Sequence, residues 1–151
     1  MNVHAPIALT QDSLSLLRAS LNSRVVNVGS VFGDIGHPMF TAYCASKFAV
    51  RGFSDALRRE LLPEGIGVTY VAPRATRTEG TSPFGHLIDP FGMAVDSPET
   101  AAASIMLAIK RGSRSRYAAG WERLFVWLQR LAPSLVDAGP AHKMAKYLSR
   151  P

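Results

Sequence analysis

Tyr43 and Lys47 stand four residues apart in a segment with helical patterning, so their side chains leave one face a single turn apart. A free phenol gives up its proton near pH 10, and a neighbouring ammonium favours the phenolate. Such a pair can give a proton to a reacting oxygen, or take one from it, closer to neutral pH. Taken alone, Tyr-x-x-x-Lys is common on helix surfaces, so its meaning depends on what the fold brings to the phenol. Ser30, 13 positions before Tyr43, ends a β-branched run and offers a hydroxyl at a strand tip.

The elements that must position these groups follow from periodicity. Val25, Val26 and Val28 in residues 24–30 read as a buried strand of a parallel sheet covered on both faces. Gly33, Gly36 and Pro38 then force a loop. In residues 41–62, Ala45, Phe48, Ala49, Gly52, Phe53, Ala56 and Leu57 recur at spacings of three and four, predicting one packed face of a long helix that Pro63 and Gly65 end. Residues 66–72 form a second β-branched run. Strand, helix and strand in succession argue for a right-handed parallel crossover. Upstream, Ile7, Leu9, Leu14, Leu16, Leu17 and Leu21 fit a helix closed by Asn22 and Ser23.

Residues 73–96 hold many Gly, Pro, Ser and Thr residues and read as a long loop, a length that points to a functional lid or to disorder. Within it Phe84, His86, Phe91 and Met93 are placed to close over an apolar substrate, whose identity the residues do not name. His37 and His86 read as solvated loop histidines, with a place at the border of such a site as the alternative. Ser97, Pro98 and Glu99 supply an N-cap, a first-turn proline and a first-turn acid for a helix that Gly112 closes. A short strand is expected at residues 116–119. Apolar positions 121, 124, 125, 128 and 131, widened by Val126 and Trp127, predict a core-packing or substrate-lid helix, favoured over contact with an anionic membrane surface.

In this order and at these separations, the residues resemble the catalytic half of classical short-chain dehydrogenases/reductases. Asn27-Val28-Gly29-Ser30 stands where that family carries a serine at a strand end, and Tyr43 and Lys47 where it carries its Tyr-x-x-x-Lys. Asn2, 28 residues before Ser30, falls near the asparagine of the family's active-site tetrad. Ala72-Pro73-Arg74-Ala75-Thr76-Arg77-Thr78 is similar to its Pro-Gly segment, with Arg74 in place of the glycine, so a different backbone path is expected there.

The resemblance implies an α/β fold, a Rossmann-like parallel sheet with flanking helices, present as the C-terminal half of one oxidoreductase domain over residues 1–151. The match is expected to be good over residues 2–119, and basic, apolar helices would make up 120–151. It further implies an NAD- or NADP-dependent enzyme moving hydride between nicotinamide and a small-molecule carbonyl or alcohol. Tyr43 would be the general acid/base, Ser30 the hydrogen-bond donor to the substrate oxygen, and Lys47 the ligand of the nicotinamide ribose that favours the Tyr43 phenolate. Asn2 would hold a proton-relaying water, leaving Thr78 and the Pro73 backbone against the nicotinamide.

The strand, glycine-rich turn and helix that open such a fold are not found here. Gly29, Gly33 and Gly36 follow a strand, but lead through Pro38 into the Tyr43 helix rather than opening a helix, which rejects them as a phosphate loop. The chain therefore reads as truncated, by a mis-called start, a degraded gene or a need for a partner chain, and as a poor monomer. The alternative function is a catalytically inactive interaction or dimerisation module, packing through residues 3–21 and 41–62. A homo-oligomer is expected on either reading.

With 151 residues, 47% of them hydrophobic, the chain can bury one core. The net charge of +6 sits in the tail: residues 1–109 carry 8 basic and 9 acidic side chains, and 110–151 carry 9 and 2. A solvated basic face is the expected role of that tail, and nucleic acid is not expected as a partner. The single cysteine, Cys44, excludes an internal disulfide framework and a cysteine metal cluster, and no metal is called for. It fits a reducing, cytoplasmic setting, and the first residues show neither a signal peptide nor a membrane span.

Overall fold

The computed structural model describes residues 1–118 and 120–149, apart from the side chain of residue 82. In chain order it holds α1 (His4–Ala19), β1 (Arg24–Val28), a 3-10 turn (Val31–Gly33), α2 (Thr41–Leu61), a second 3-10 turn (Leu62–Glu64) and β2 (Gly67–Ala72). β3 (Ala75–Thr76), a third 3-10 turn (Glu79–Phe84), α3 (Gly85–Phe91) and β4 (Val95–Asp96) follow. α4 (Pro98–Lys110), β5 (Ser115–Tyr117), α5 (Glu122–Leu131) and α6 (Pro133–Leu148) complete it.

The two β-branched runs pair in parallel, with Val25 opposite Val68 and Val28 opposite Val71. β5 adds in parallel on the far side of β2, giving the order β1-β2-β5, and β3 pairs with β4 as a separate parallel ribbon. This is the parallel α/β architecture expected from the strand–helix–strand order. β2 is the central strand, and Val68, Thr69, Tyr70, Val71 and Ala72 along it are all buried. Leu14 and Leu17 of α1 pack on Leu57, Leu61, Ile66 and Val68. Fully burying a side chain of this size contributes about 1.5–3 kcal/mol.

Of the α2 face that the apolar spacing predicts, only Leu57 and Phe53 pack on the core. Ala45, Phe48, Ala49, Gly52 and Ala56 are exposed, whereas Cys44, Val50, Ser54, Leu57 and Leu61 are buried. The buried stripe also recurs at three and four, but Ser54 and the flanking Arg51 and Arg58 disguise it. Ser54 accepts from the Asn27 side-chain amide at 2.9 Å. Arg58 donates to the carbonyls of Val68 (3.0 Å) and Arg114 (2.9 Å), so Ser54 and Arg58 are satisfied against the sheet.

Residues 73–96 are not one loop, as composition suggests, but a ribbon strand, a 3-10 turn, a helix and a second ribbon strand. Pro83, Pro90 and three glycines hide the periodicity, yet Leu87 and Phe91, one turn apart on α3, are both buried against Phe40 and Cys44. The left-handed Gly92 (φ +59°) ends that helix. The Ser97 hydroxyl accepts from the Thr100 amide at 3.2 Å and caps α4 as expected. The short strand falls one residue earlier than expected, and Ala119 lies outside the described residues. Among the described residues, no helix is long and apolar enough to cross a membrane.

Candidate active site

Ser30 follows the tip of β1, where the Gly29 amide still donates to the Val71 carbonyl at 2.7 Å. Its extended backbone (φ −164°) lets its hydroxyl accept from the Phe32 amide at 3.2 Å and cap the first 3-10 turn. A residue not singled out from the sequence fixes this backbone. Tyr70 of β2 is fully buried and donates its hydroxyl to the Ser30 carbonyl at 2.9 Å, while the Ser30 amide faces the same oxygen at 3.4 Å. Burial pushes the Tyr70 phenol well above its ordinary range, so it stays protonated as a donor. Gly29 and Gly33 make room for it: a Cβ on Gly29 would overlap the Tyr70 ring, and one on Gly33 would lie 2.6 Å from its hydroxyl and 2.7 Å from the Lys47 carbonyl. These glycines serve close packing of strand on helix, in keeping with their rejection as a phosphate loop.

Tyr43, on the first turn of α2, keeps 39% of its surface exposed. Its ring meets Phe32 and Phe40 edge-on, at 6.4 and 6.5 Å between centroids. One turn on, the Lys47 ammonium sits 5.6 Å from the Tyr43 ring centroid and donates to the Val28 carbonyl at 3.3 Å. Burial lowers the Lys47 pKa, because a half-buried ammonium loses part of its hydration.

Ser30 and Tyr43 line one cavity of about 730 Å³, together with Pro73 and Thr78. The Pro73 carbonyl accepts from the Val31 amide at 3.2 Å, and the exposed Thr78 donates its amide to the Thr81 hydroxyl at 3.1 Å. Lys47 stands beside the cavity, behind Tyr43, rather than on its wall. Asn2 lies apart: it is exposed, donates to the Ser46 hydroxyl at 3.4 Å, and borders a separate shallow depression against Tyr43.

The wall beyond Tyr43 is apolar. His37 stacks on Phe32 at 4.8 Å and meets Phe91 at 5.0 Å, and its burial lowers its pKa, keeping the imidazole neutral. Phe84 and Met93 join this wall, as expected for a lid, whereas His86 is exposed and does not line the cavity. Trp121 and Phe125 line the opposite side, which fits the lid role foreseen for their helix. Two ionic ties dock that helix. Arg130 donates to the buried Asp34 carboxylate at 2.6 Å, and Arg74 pairs with Glu122 and Asp96 at 3.4 Å each. Arg74, found where the resemblance leads one to expect glycine, thus joins the β3–β4 ribbon to α5.

Residues 1–86 match the family model described as short chain dehydrogenase. The chain is 33% identical over 143 residues to the dehydrogenase/reductase SDR family protein 7-like of Anopheles gambiae, covering 89% of this chain and 45% of that protein. It is 39% identical over 118 residues to the putative oxidoreductase SadH of Mycobacterium tuberculosis, covering 69% and 42%. Among solved structures, a short chain dehydrogenase from Burkholderia cenocepacia in complex with NADP superposes with a TM-score of 0.79 at 17% identity, over 92% of this chain and 55% of that one. A 4-hydroxyisoleucine dehydrogenase complexed with NADH and succinate gives a TM-score of 0.65 at 24% identity, over 80% and 55%. The chain thus spans about half the length of the relatives it matches. Since the family match runs from Met1 through α2 and β2 to His86, the chain belongs to the short-chain dehydrogenase family.

Proposed function

We propose that the protein is an oxidoreductase using NAD or NADP, moving hydride between the cofactor and a carbonyl or alcohol, with Tyr43 as general acid/base. The observation that carries this reading is the shared cavity of Ser30 and Tyr43, with the Lys47 ammonium 5.6 Å from the phenol ring. A cytoplasmic setting goes with it, since Cys44 is buried and unpaired.

The residues fit a nicotinamide. Gly29 presents bare backbone to the cavity, beside Pro73 and the threonines Thr76 and Thr78. Lys47 has one acceptor among the described residues, the Val28 carbonyl, which leaves two of its three N–H donors for ribose hydroxyls. When bound, the nicotinamide supplies or accepts the hydride. Ser30 would hydrogen-bond the substrate oxygen and stabilise the negative charge growing there, having been fixed beforehand through its backbone. In reduction, the Tyr43 hydroxyl gives its proton to that oxygen as the carbonyl carbon gains hydride, leaving a phenolate that the Lys47 charge stabilises. Solvent restores the proton, since Tyr43 is partly exposed; oxidation runs the same steps in reverse. Asn2, which borders a depression against Tyr43, would hold the water through which that proton is relayed.

The direct test is Tyr43→Phe, assayed with reduced cofactor and a carbonyl substrate. Loss of the proton donor should lower the rate by about 10²–10⁴-fold. Reduction at the ordinary rate by the variant would remove Tyr43 from the mechanism.

A second reading, an interaction role through a homo-oligomer, is favoured by the exposed stripe of Ala45, Phe48, Ala49, Gly52 and Ala56 on α2. Leu9 and Leu16 of α1 are exposed as well, at 68% and 70%. Association through these helices is compatible with catalysis in the cavity.

A further inference from the structure

Resting on the oxidoreductase reading, we propose that the cavity selects a neutral carbonyl compound with a bulky apolar body, against small or carboxylate-bearing ones. The apolar wall starts at the reacting group itself. Tyr43 meets Phe40 edge-on, Phe40 meets Phe84 at 5.3 Å, and Phe40 meets Phe32 at the same distance. A substrate whose oxygen reaches Ser30 and Tyr43 must therefore lay its remaining atoms along aromatic faces. Phe84 and Phe125 leave 46% and 47% of their surfaces uncovered at this cavity, an arrangement that favours an apolar occupant.

Charge argues the same way. The charged side chains on the described wall are Arg74, Glu122 and Lys143, and each is already engaged. Arg74 and Glu122 pair with each other. Lys143 donates to the Phe91 carbonyl at 2.6 Å, where it caps the C-terminal end of α3. His37 is neutral and sandwiched between aromatic rings. A carboxylate would have to compete with the Arg74–Glu122 pair or share the Lys143 ammonium with the Phe91 carbonyl, whereas a neutral aromatic or alkyl body disturbs none of these ties. Size agrees, because about 730 Å³ exceeds what a nicotinamide ring and a small ketone would fill together.

Two methyl ketones separate the alternatives. Benzylacetone carries a neutral phenyl body, and levulinate ends in a carboxylate. Binding of each to the chain is measured by ligand-observed NMR and calorimetry. Benzylacetone should bind at least about tenfold more tightly than levulinate, and Phe84→Ala should weaken it about five- to tenfold with the circular dichroism unchanged. Levulinate binding as tight as benzylacetone, or benzylacetone failing to bind, overturns the proposal. Failure of the substrate class is thus read in binding, and failure of the oxidoreductase reading in turnover.

Discussion

Ser30 is positioned through its backbone, by a buried tyrosine from the neighbouring strand, and this arrangement depends on one missing side-chain carbon. A methyl group on Gly29 would meet the fully buried Tyr70 ring. Gly29→Ala should therefore destabilise the protein by about 1–3 kcal/mol, the usual cost of overpacking, in a urea unfolding experiment. Combined with Tyr70→Ala, the cost should fall below the sum of the two single changes, because the clash is then gone; simple additivity would show that the pair is not coupled. The placement of Tyr43 and Lys47 one turn apart on a helix and of Ser30 at a strand end was legible in the sequence, because helix period and strand end are local features. Tyr70 was not, since its contact with Ser30 spans 40 residues and depends on strand register. Asn2 is a different case: its separation from Ser30 was readable, but its side-chain partner Ser46, 44 residues away, was not.

The orientation of α2 sets the site, and polar side chains govern that orientation as much as apolar ones. Asp55 pairs with Arg51 at 3.1 Å and with Arg58, and the Arg51 guanidinium lies 4.7 Å over the Tyr70 ring. Burial acts to raise the Asp55 pKa, but the Arg58 hydrogen bond and the charges of Arg51, Arg58 and Arg114 outweigh it, so the net shift is downward. A carboxyl whose folded-state pKa is depressed contributes stability above its unfolded value and loses it as pH falls through the folded one. Asp55→Asn should thus cost about 1 kcal/mol near neutral pH and progressively less below about pH 4, where the wild type loses the same contribution. Parallel pH–stability curves for the two proteins would contradict this. Helix α2 was readable as an element from its period, whereas its face was not: alanine and glycine counted as apolar, while the packed side held Ser54 and the stems of two arginines. Helix α3 escaped notice for a related reason, as its prolines and glycines outweighed the single Leu87–Phe91 pair.

In the whole molecule the parallel sheet is covered by α1 and α2, yet β1 stands at its edge and Val28 there is 47% exposed. Open strand edges and uncovered helix faces drive association. Size-exclusion chromatography over a range of concentrations should show a shift toward dimers or larger species, weakened by Phe48→Lys; a monomer at every concentration would contradict it. The parallel architecture was legible because two β-branched runs flanked one helix, but the closure of the cavity by α5 and α6 depends on long-range ties such as Asp34–Arg130 that no local pattern reveals. A double-mutant cycle tests whether Ser30 and Tyr43 act on one oxygen, as proposed. kcat/KM for carbonyl reduction is compared among wild type, Ser30→Ala, Tyr43→Phe and the double variant. Two hydroxyls serving one oxygen should give a double variant scarcely worse than the poorer single one; losses that multiply as independent factors would contradict the claim.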